Sequence, residues 1–360
     1  MQPEHFSGDW DPQSSRNSFH VPVSPAPTGY LANPYWQTAE DSHRDFNEIL
    51  SRDESTWQSR GTLEDTDIKI YARPGAPASE LPMSKGTTYV PKSRPIELLA
   101  CIHTFSYRNL FDTRFASAGI LQRYSLHDHH FYLVIRGIGP IYSPRDATGV
   151  QTVRFYDHAG ARLPMCYPDT PKVDIVYRSV NDPEVPPQEG KVRAWIHMGG
   201  YRLEWDEAKQ ATKVTYVAHT NLQQSVPRYI GNVLMSELPR VTARLRGAVE
   251  NFGFPPYILD IEVCVVQQLQ IHDANTRRNE FRCHVRKPGS YLIIIDRERM
   301  YQNGIVPPKA EGEGAHAVTF SDLNGHLGVT VAPKGVGQEF VFVIEPRDQE
   351  APPESSSAWW

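Results

Sequence analysis

The chain has 360 residues, of which 39% are hydrophobic and 11% aromatic, and its formal net charge is −5. This apolar fraction is sufficient for a packed core and excludes a wholly disordered chain. The slightly acidic balance argues against a protein that is held on nucleic acid by a general basic field. The 30 prolines, against a usual share of ~5%, predict either long tails or proline-rich loops.

Both ends of the chain have the composition of polar tails, which we assign to residues 1–37 and 347–360. Residues 1–40 hold six prolines among Ser, Asn and Gln, which is typical of disorder. The beginning of the chain lacks the basic and apolar segments of a signal peptide, and no stretch reaches the roughly 20 apolar residues of a membrane helix. The four cysteines form no CxxC pair, which favours a reducing compartment. We therefore expect a cytoplasmic protein.

The first half of the chain combines helix patterns with strand patterns. Phe46, Ile49 and Leu50 have helical spacing and predict a helix over Thr38–Trp57. The next predicted elements are strands at Ile68–Ala72 and Gly86–Val90, a helix at Ile96–Thr104 and a short helix or turn at Tyr107–Phe115. Strand patterns then follow one another without intervening helices, which predicts an antiparallel sheet, at Ile120–Ser125, His130–Arg136, Val150–Tyr156, Lys172–Ser179, Val192–Met198, Tyr201–Glu204 and Lys213–His219.

One long amphipathic helix follows the sheet. We expect it to begin with Ser225 as its N-cap and Pro227 in its first turn, and to end at Gly253. Pro239 lies inside this helix and predicts a kink. Six further strand patterns in about 90 residues predict a small β-sandwich over residues 255–346, at Ile261–Gln268, Glu280–Arg286, Ser290–Ile295, His316–Phe320, Leu327–Val331 and Glu339–Ile344.

These elements predict an α+β fold with two domains. A curved antiparallel sheet that is covered by one long C-terminal helix is a helix-grip arrangement, and it accounts for residues 38–254. The small all-β sandwich domain accounts for residues 255–346.

Four motifs stand in one order along the first of these domains, at Asn109–Phe115, Ser143–Asp146, Tyr177–Arg193 and Thr215–Leu222. They resemble, in turn, a W-D-x-x-F helix end, an S/G-P-R-D signature, an Ω-loop with its following strand, and a late strand of the START domain. START domains form the lipid-binding family named after the steroidogenic acute regulatory protein. The resemblance covers about residues 38–252, and the C-terminal domain resembles no family that we recognise.

The resemblance implies a carrier or sensor that binds one lipid in an internal cavity and needs no cofactor. The lipid would be a sterol, a phospholipid or a sphingolipid, and the protein would touch membrane surfaces transiently. Arg154 matches the cavity arginine of the sterol-binding members, with about three residues inserted before it. The position of that arginine's acidic partner is occupied by Tyr132, which departs from the sterol pattern. Arg136 is a second candidate for contact with the headgroup.

Strand alternation and helix periodicity predict the wall of such a cavity. Ordinary core packing is the alternative interpretation, because apolar stripes of this kind usually pack a core. The predicted lining residues are Val173, Ile175 and Tyr177 on one strand, Val192, Ala194, Ile196 and Met198 on the next, and Ile230, Val233, Leu234 and Leu238 on the covering helix.

The resemblance also implies a gate. In the family the Ω-loop lies against the long helix, which here selects Val185, Pro186 and Pro187 of the loop and Pro239 of the helix. A gate has to open without unfolding the sheet, and a loop next to a kinked helix satisfies that requirement.

Two other functions stay open. One is an enzyme, a cyclase or hydrolase that acts on a hydrophobic substrate, with Tyr132, His197 and His219 as acid–base candidates. The other is an adaptor in which lipid controls a protein partner of the C-terminal β-domain. The sequence has no GxSxG, HExxH, GxGxxG or Walker A motif. His127–His130 is its one metal-like cluster. A zinc site needs three or four ligands, and no Cys or fourth ligand lies at a suitable spacing, so we expect no metal there.

Overall fold

The computed structural model describes residues 29–63, 68–73, 81–138, 142–223, 228–323 and 325–347. In these ranges the α-helices are α1 (Trp36–Ser51), α2 (Pro95–His103) and α3 (Arg228–Phe252). The predicted N-cap Ser225, the adjacent Pro227 and most of both predicted tails lie outside the described residues. Short 3₁₀ turns occupy Glu54–Thr56, Phe105–Leu110, Glu313–Ala317 and Pro333–Gly335.

The strands of the first part of the chain form one large sheet. The strands are β1 (Gln58–Leu63), β2 (Ile68–Ala72), β3 (Ser84–Pro91), β4 (Phe115–Arg123), β5 (His129–Ile135), β6 (Arg145–Tyr156), β7 (Arg162–Leu163), β8 (Lys172–Ser179), β9 (Val192–Arg193), β10 (Trp195–Asp206) and β11 (Ala211–Asn221). Their order across the sheet is β1-β2-β3-β11-β10-β8-β6-β5-β4, with β7 and β9 added at β6. Neighbours along this path are antiparallel, as the sequence predicts.

Strand β10 is continuous where the sequence predicts two strands that are separated at Gly199 and Gly200. These two glycines make room for aromatic rings on opposite faces of the sheet. A Cβ atom at Gly199 would collide with the ring of Tyr177, and one at Gly200 would lie 2.9 Å from the ring of Phe46. The glycines therefore mark close approaches within a strand and do not end it.

The sheet has an outer face covered by α1 and an inner face covered by α2 and α3. On the outer side, Phe46 and Ile49 of α1 pack with Val176, Met198 and Val217. On the inner side, the buried stripe of α3 joins the main core through Val241, Leu245, Ala248 and Val249. Sheet and long helix together form the predicted helix-grip arrangement, and the α+β fold class is confirmed.

Helix α3 crosses β3 at Pro239. A Cβ atom built on Gly86 of β3 would lie 2.9 Å from the Cβ atom of Pro239. The sequence predicts a kink at Pro239. In the structure this residue makes the close contact of α3 with Gly86 of β3. The crossing separates the first turns of α3, where Leu234 is buried, from the buried stripe that runs from Val241 to Val249.

The rest of the chain forms two four-stranded sheets. Their strands are β12 (Tyr257–Leu259), β13 (Val265–Asp273), β14 (Arg278–Val285), β15 (Gly289–Ile294), β16 (Ala310–Glu311), β17 (Val318–Leu323), β18 (His326–Val331) and β19 (Glu339–Ile344), in the orders β12-β15-β18-β17 and β13-β14-β19-β16. The rings of Phe320 and Phe342, one from each sheet, meet at 5.3 Å between centroids. The sequence prediction missed β12 and β16 because both are three residues or shorter.

The C-terminal sheets pack closely against the end of the grip. The Tyr107 hydroxyl donates to the carbonyl of Gly253, and Asp296 accepts from the backbone N–H of Phe254 at 3.0 Å. Arg299 donates to the carbonyl of Val249 at 3.0 Å. One buried apolar cluster includes residues of both parts, so the predicted boundary near residues 254–255 runs through a tightly packed junction.

Candidate functional site

A partly buried ion pair lies on the inner side of the grip. Arg108 belongs to the 3₁₀ turn Phe105–Leu110, and its Nε atom lies 2.9 Å from a carboxylate oxygen of Asp112. The two side chains are only 14% and 16% exposed. Burial alone would lower the pKa of Arg108, but the charge of Asp112 outweighs it and raises that pKa. The guanidinium therefore stays charged inside the fold.

Three tyrosines surround this ion pair from neighbouring strands. Tyr177 lies on β8, Tyr201 on β10 and Tyr216 on β11, and all three belong to the inner-face core. The hydroxyls of Tyr177 and Tyr216 lie 3.1 Å apart, and the rings of Tyr201 and Tyr216 are 4.6 Å apart. Burial raises the pKa of all three phenols, so they remain protonated hydrogen-bonding groups.

The hydroxyl of Tyr201 is the unsatisfied group of this set. It is buried, and it has no hydrogen-bond partner among the residues that the structure describes. Buried hydroxyls are normally paired, and an unpaired one costs free energy. We name Arg108, Asp112, Tyr177, Tyr201 and Tyr216 the inner polar cluster. It is the part of the inner face that is able to orient a polar headgroup.

Most of the predicted wall lies on the inner face. Val173, Ile175, Tyr177 and Ile196 are buried members of the main core. Ala194 is buried and Val192 is half-buried beside Arg145 of β6. On α3, Leu234 is buried and Leu238 is partly buried, whereas the side chains of Ile230 and Val233 lie outside the described part of the structure.

Met198 lies on the opposite face from the one that strand alternation predicts. It packs with Phe46 of α1, whereas Ile196, two residues earlier, belongs to the inner core. The cause is a β-bulge between Ile196 and Met198, where β10 gains one residue relative to β11. A bulge leaves one residue unpaired and breaks the alternation of side chains. We therefore remove Met198 from the candidate wall.

Arg154 also faces α1 and not the interior. Its guanidinium lies 2.9 Å from Glu40 of α1 and 2.9 Å from Asp128. Burial lowers the pKa of Arg154, but the two carboxylates outweigh burial and raise it. The strand neighbours Val153 and Phe155 occupy the inner side instead. Arg154 is thus satisfied by protein groups on the outer face.

Tyr132 and Arg136, the other candidates for headgroup contact, are not part of the inner polar cluster. The Tyr132 hydroxyl donates to Asp146 at 2.7 Å, on the strand face opposite to the core residues Phe131 and Leu133. Arg136 is exposed just beyond the end of β5. The sequence missed Arg108, although it lies directly before the Asn109–Phe115 motif that carries part of the START resemblance.

The predicted gate residues of the Ω-loop lie beside Asp146. Val185 is half-buried, while Pro186 and Pro187 are exposed. Asp146 accepts from the backbone N–H of Gln188 at 3.0 Å and pairs with Arg193 at 3.0 Å. Arg193 also donates to the Val185 carbonyl at 3.0 Å. The described hydrogen bonds thus tie this loop to outer-face residues of the sheet.

A separate apolar cluster closes the first turns of α3. Leu81, Tyr142, Leu222 and Leu234 are buried together, and Ile138, Met235 and Leu238 pack against them. Ile138 and Tyr142 pair across the connection between β5 and β6. We name these seven residues the mouth cluster. The periodicity of α3 predicted only the members on that helix. The other members come from three distant segments, and no pattern in the sequence connects them.

The residues of the enzyme alternative do not meet inside the grip. The rings of His197 and His219 lie 4.8 Å apart, beside Met198 on the outer side. At the junction with the C-terminal sheets, Cys166 Sγ lies 3.6 Å from Nε2 of His127, whose Nδ1 lies 3.1 Å from the Tyr257 hydroxyl. Burial raises the pKa of Cys166 to about 12 and lowers that of His127 to about 3. A nucleophilic cysteine needs its thiolate, and burial disfavours the thiolate of Cys166.

The described residues contain no group of three or more His, Cys, Asp or Glu side chains arranged to hold a metal. The described residues line two surface clefts that bear on the candidate sites. One of about 290 Å³ lies beside His127, between the end of β6 and Asp260 of the C-terminal part. The other, of about 220 Å³, lies on the outer side at the end of α1. Among the described helices, none combines the length and the apolar character that a membrane span requires.

Comparison with solved structures returns lipid-transfer proteins at low identity. Human StAR-related lipid transfer protein 5 is 19% identical, with 60% of this chain and 98% of that chain covered and a TM-score of 0.49. Human STARD10 is 18% identical, with 58% and 78% covered and a TM-score of 0.47. A STAR-related lipid transfer protein fragment from Xanthomonas axonopodis is 20% identical, with 54% and 99% covered and a TM-score of 0.43. Among curated proteins no match is found.

The family model described as "START domain" matches residues 170–253. This segment runs from the start of β8 to the end of α3. It contains all three tyrosines around Arg108, on β8, β10 and β11, and the covering helix α3. The resemblance predicted from the sequence motifs is confirmed, and residues 170–253 match the START domain model.

Proposed function

We propose that the chain binds one lipid between the curved sheet and α3 and carries or senses it between membranes in the cytoplasm. START domains are mainly lipid-binding proteins without catalytic activity, and the family match supports lipid binding in general. The observation that carries the proposal is the inner polar cluster, a charged and phenolic group within an otherwise apolar inner face. Lipid sites are of this kind, with apolar walls and few convergent polar groups.

The inner polar cluster has the chemistry to orient a headgroup. Arg108 is charged and held by Asp112, so it offers its remaining donors to a phosphate or hydroxyl oxygen. The free hydroxyl of Tyr201 supplies one further hydrogen bond. The acyl chains or rings would then lie along Val173, Ile175 and Ile196 toward the mouth cluster. Burial of apolar area, at roughly 25 cal/mol per Å² removed from water, would drive binding.

The mouth cluster is our candidate for the gate. It joins α3 to connections at one end of the strands through side chains, with Leu238 only partly buried. The first turns of α3 precede the close crossing of Pro239 over Gly86. These turns would therefore move at a membrane surface while the rest of α3 stays fixed. The loop that contains Val185, Pro186 and Pro187 would lie beside this gate.

Replacement of Tyr201 by Phe tests the proposal with little risk to the fold. The variant removes a hydroxyl that has no partner among the described residues, so we expect the free energy of unfolding to stay within about 0.5 kcal/mol. Loss of one hydrogen bond of about 0.5–1.5 kcal/mol should reduce retained lipid by roughly 2- to 10-fold. Lipid is measured by mass spectrometry of protein purified from eukaryotic cells.

Replacement of Tyr107 by Phe is the matched control. Its hydroxyl donates to the carbonyl of Gly253 at the junction with the C-terminal sheets. This variant should lose about 1 kcal/mol of stability and keep its lipid. The proposal is wrong if wild-type protein carries no lipid and extracts none from liposomes. Conversion of a bound compound to product would instead support the enzyme alternative.

A regulated adaptor function has one observation in its favour. The end of α3 is bound by Arg299 and, through Phe254, by Asp296 of the C-terminal part. A displacement of α3 by lipid would thus be transmitted to the C-terminal sheets, where a protein partner would bind. Pull-down with lipid-loaded and delipidated protein distinguishes this function, because only an adaptor changes its partner with lipid.

A further inference from the structure

The cleft of about 220 Å³ on the outer side of the sheet carries an excess of positive charge. It forms where α1 ends and where the bulge in β10 places His197 next to Met198. The lining residues are Asp45, Glu48, Ile49, Arg52, Arg73, Met83, Arg178, His197, Met198 and His219. Three guanidinium groups and two imidazoles thus face two carboxylates.

Both carboxylates of the cleft are already engaged. Asp45 accepts from Arg178 at 2.7 Å and also pairs with Arg44. Glu48 pairs with Arg52, one turn further along α1. The acids of the cleft therefore neutralise Arg178 and Arg52 and leave the third cation, Arg73.

Arg73 is held in place without a carboxylate among the described residues. Its guanidinium lies 4.3 Å above the ring of the buried Trp57 and donates to the hydroxyl of Thr56 at 3.1 Å. Its Nε atom is buried and has no hydrogen-bond partner in the described part of the chain. Lys85 lies over the same ring at 4.6 Å. Burial and the nearby charge of Arg52 lower the pKa of Arg73, as expected of a cation that lacks a counterion.

A planar guanidinium that is stacked on an aromatic ring presents its N–H groups edge-on, and this geometry matches phosphate oxygens. A phosphate monoester would supply the negative charge that Arg73 lacks among the described residues. The volume is below the roughly 300–1,000 Å³ of drug-sized ligand sites, so the cleft fits one phosphorylated headgroup and not a whole lipid.

We propose that this outer cleft, with Arg73 as its principal ligand, binds a phosphate monoester group. The group belongs either to the headgroup of a membrane lipid or to a soluble metabolite, and the chemistry of recognition is the same. The site is separate from the inner polar cluster, since the sheet lies between them, and it does not rest on the proposed lipid cavity.

The test measures phosphate binding by the full chain in two ways. Isothermal titration with glycerol 3-phosphate reports a soluble ligand, and co-sedimentation with phosphatidylcholine vesicles that contain phosphatidic acid reports a membrane headgroup. Binding to either probe, or to both, supports the proposal and identifies the source. Absence of binding to both probes overturns it.

The variant Arg73→Gln removes the cation and should weaken binding by roughly 10-fold or more, because hydrogen bonds to charged groups contribute about 1.5–3 kcal/mol. Arg60→Gln is the matched control, since Arg60 is an exposed arginine on β1 outside the cleft, and it should bind within twofold of wild type. If Arg73→Gln fails to fold, Arg52→Gln on the exposed end of α1 replaces it and should also weaken binding. Wild-type affinity in a folded cleft variant contradicts the proposal.

Discussion

The two faces of the large sheet use charge in different ways. Several arginines of the outer face pair with acids, as Arg154 does with Glu40 and Asp128 and Arg202 does with Asp174. On the inner face, mostly apolar and aromatic side chains surround the ion pair of Arg108 with Asp112. The outer pairs connect α1 and the loops to the sheet. The inner pair lies among three tyrosines, and the hydroxyl of one of them, Tyr201, has no partner among the described residues. On this difference we base the proposal that the inner face binds the lipid.

The largest effect among the outer-face pairs is expected at Asp146. Its side chain is fully buried and accepts from Arg193, Tyr132 and the backbone of Gln188. Asp146→Asn leaves Arg193 without its counterion, and breaking such a buried pair costs about 3 kcal/mol of unfolding free energy. Glu40→Gln, at an exposed outer pair, should cost less than about 1 kcal/mol. Urea denaturation measures both, and equal losses would contradict the structural role of Asp146.

The stability difference between wild type and Asp146→Asn should also depend on pH. Burial alone would raise the pKa of Asp146, but hydrogen bonds from Arg193 and Tyr132 outweigh burial and lower it. A carboxyl with a lowered folded pKa stabilises the protein above its unfolded pKa of about 3.9 and loses that contribution at lower pH. We expect the difference to be full at pH 6 and to shrink as the pH falls below about 4. A constant difference would show that the charge of Asp146 is not responsible.

A coupling energy, smaller than the loss expected at Asp146, tests the bulge in β10. Met198→Ala and Ile196→Ala should each destabilise the protein by about 2–5 kcal/mol as core truncations. In double-mutant cycles with Phe46→Leu of α1, Met198→Ala should show a coupling energy of about 1 kcal/mol, and Ile196→Ala should be additive within about 0.5 kcal/mol. Coupling of Phe46 to Ile196 instead would return Met198 to the inner face.

The smallest effect is expected from Arg154→Leu. Because its two acidic partners lie on the outer face, we expect no change in the amount or identity of bound lipid. The double variant Arg108→Leu with Asp112→Leu removes the inner pair without leaving an unpaired charge, and it should lose most bound lipid. Mass spectrometry of extracted lipid measures both variants. Loss of lipid in Arg154→Leu alone would contradict the assignment of the faces.

Much of the fold follows from the sequence because hydrophobic periodicity and the Gly and Pro residues that end elements are local signals. The alternation of Val173, Ile175 and Tyr177 places them correctly on the inner face. The same rule fails for Met198, because a bulge depends on pairing with a distant strand. The family pattern fails for Arg154, because it gives a position in the sequence but not a strand face. In the structure Arg154 lies on the outer face, where it pairs with Glu40 and Asp128.

The site itself was less predictable than the sheet. Arg108, Tyr201 and Tyr216 come from a 3₁₀ turn and two different strands, and no spacing in the sequence connects them. The contact of Pro239 with Gly86 is likewise a meeting of segments 153 residues apart. The predicted division into residues 38–254 and 255–346 stays a prediction, since the two parts share one buried cluster.

Photocrosslinking tests the central proposal most directly. A lipid with a photoreactive group in its acyl chain is loaded into the full chain from liposomes, irradiated, and its attachment sites are mapped by mass spectrometry. We expect labels on the inner face, at residues such as Val173, Ile175 and Ile196, and on the mouth cluster. Labels confined to the outer face, at Val176 or Met198, or to the C-terminal sheets would contradict a lipid site between the sheet and α3.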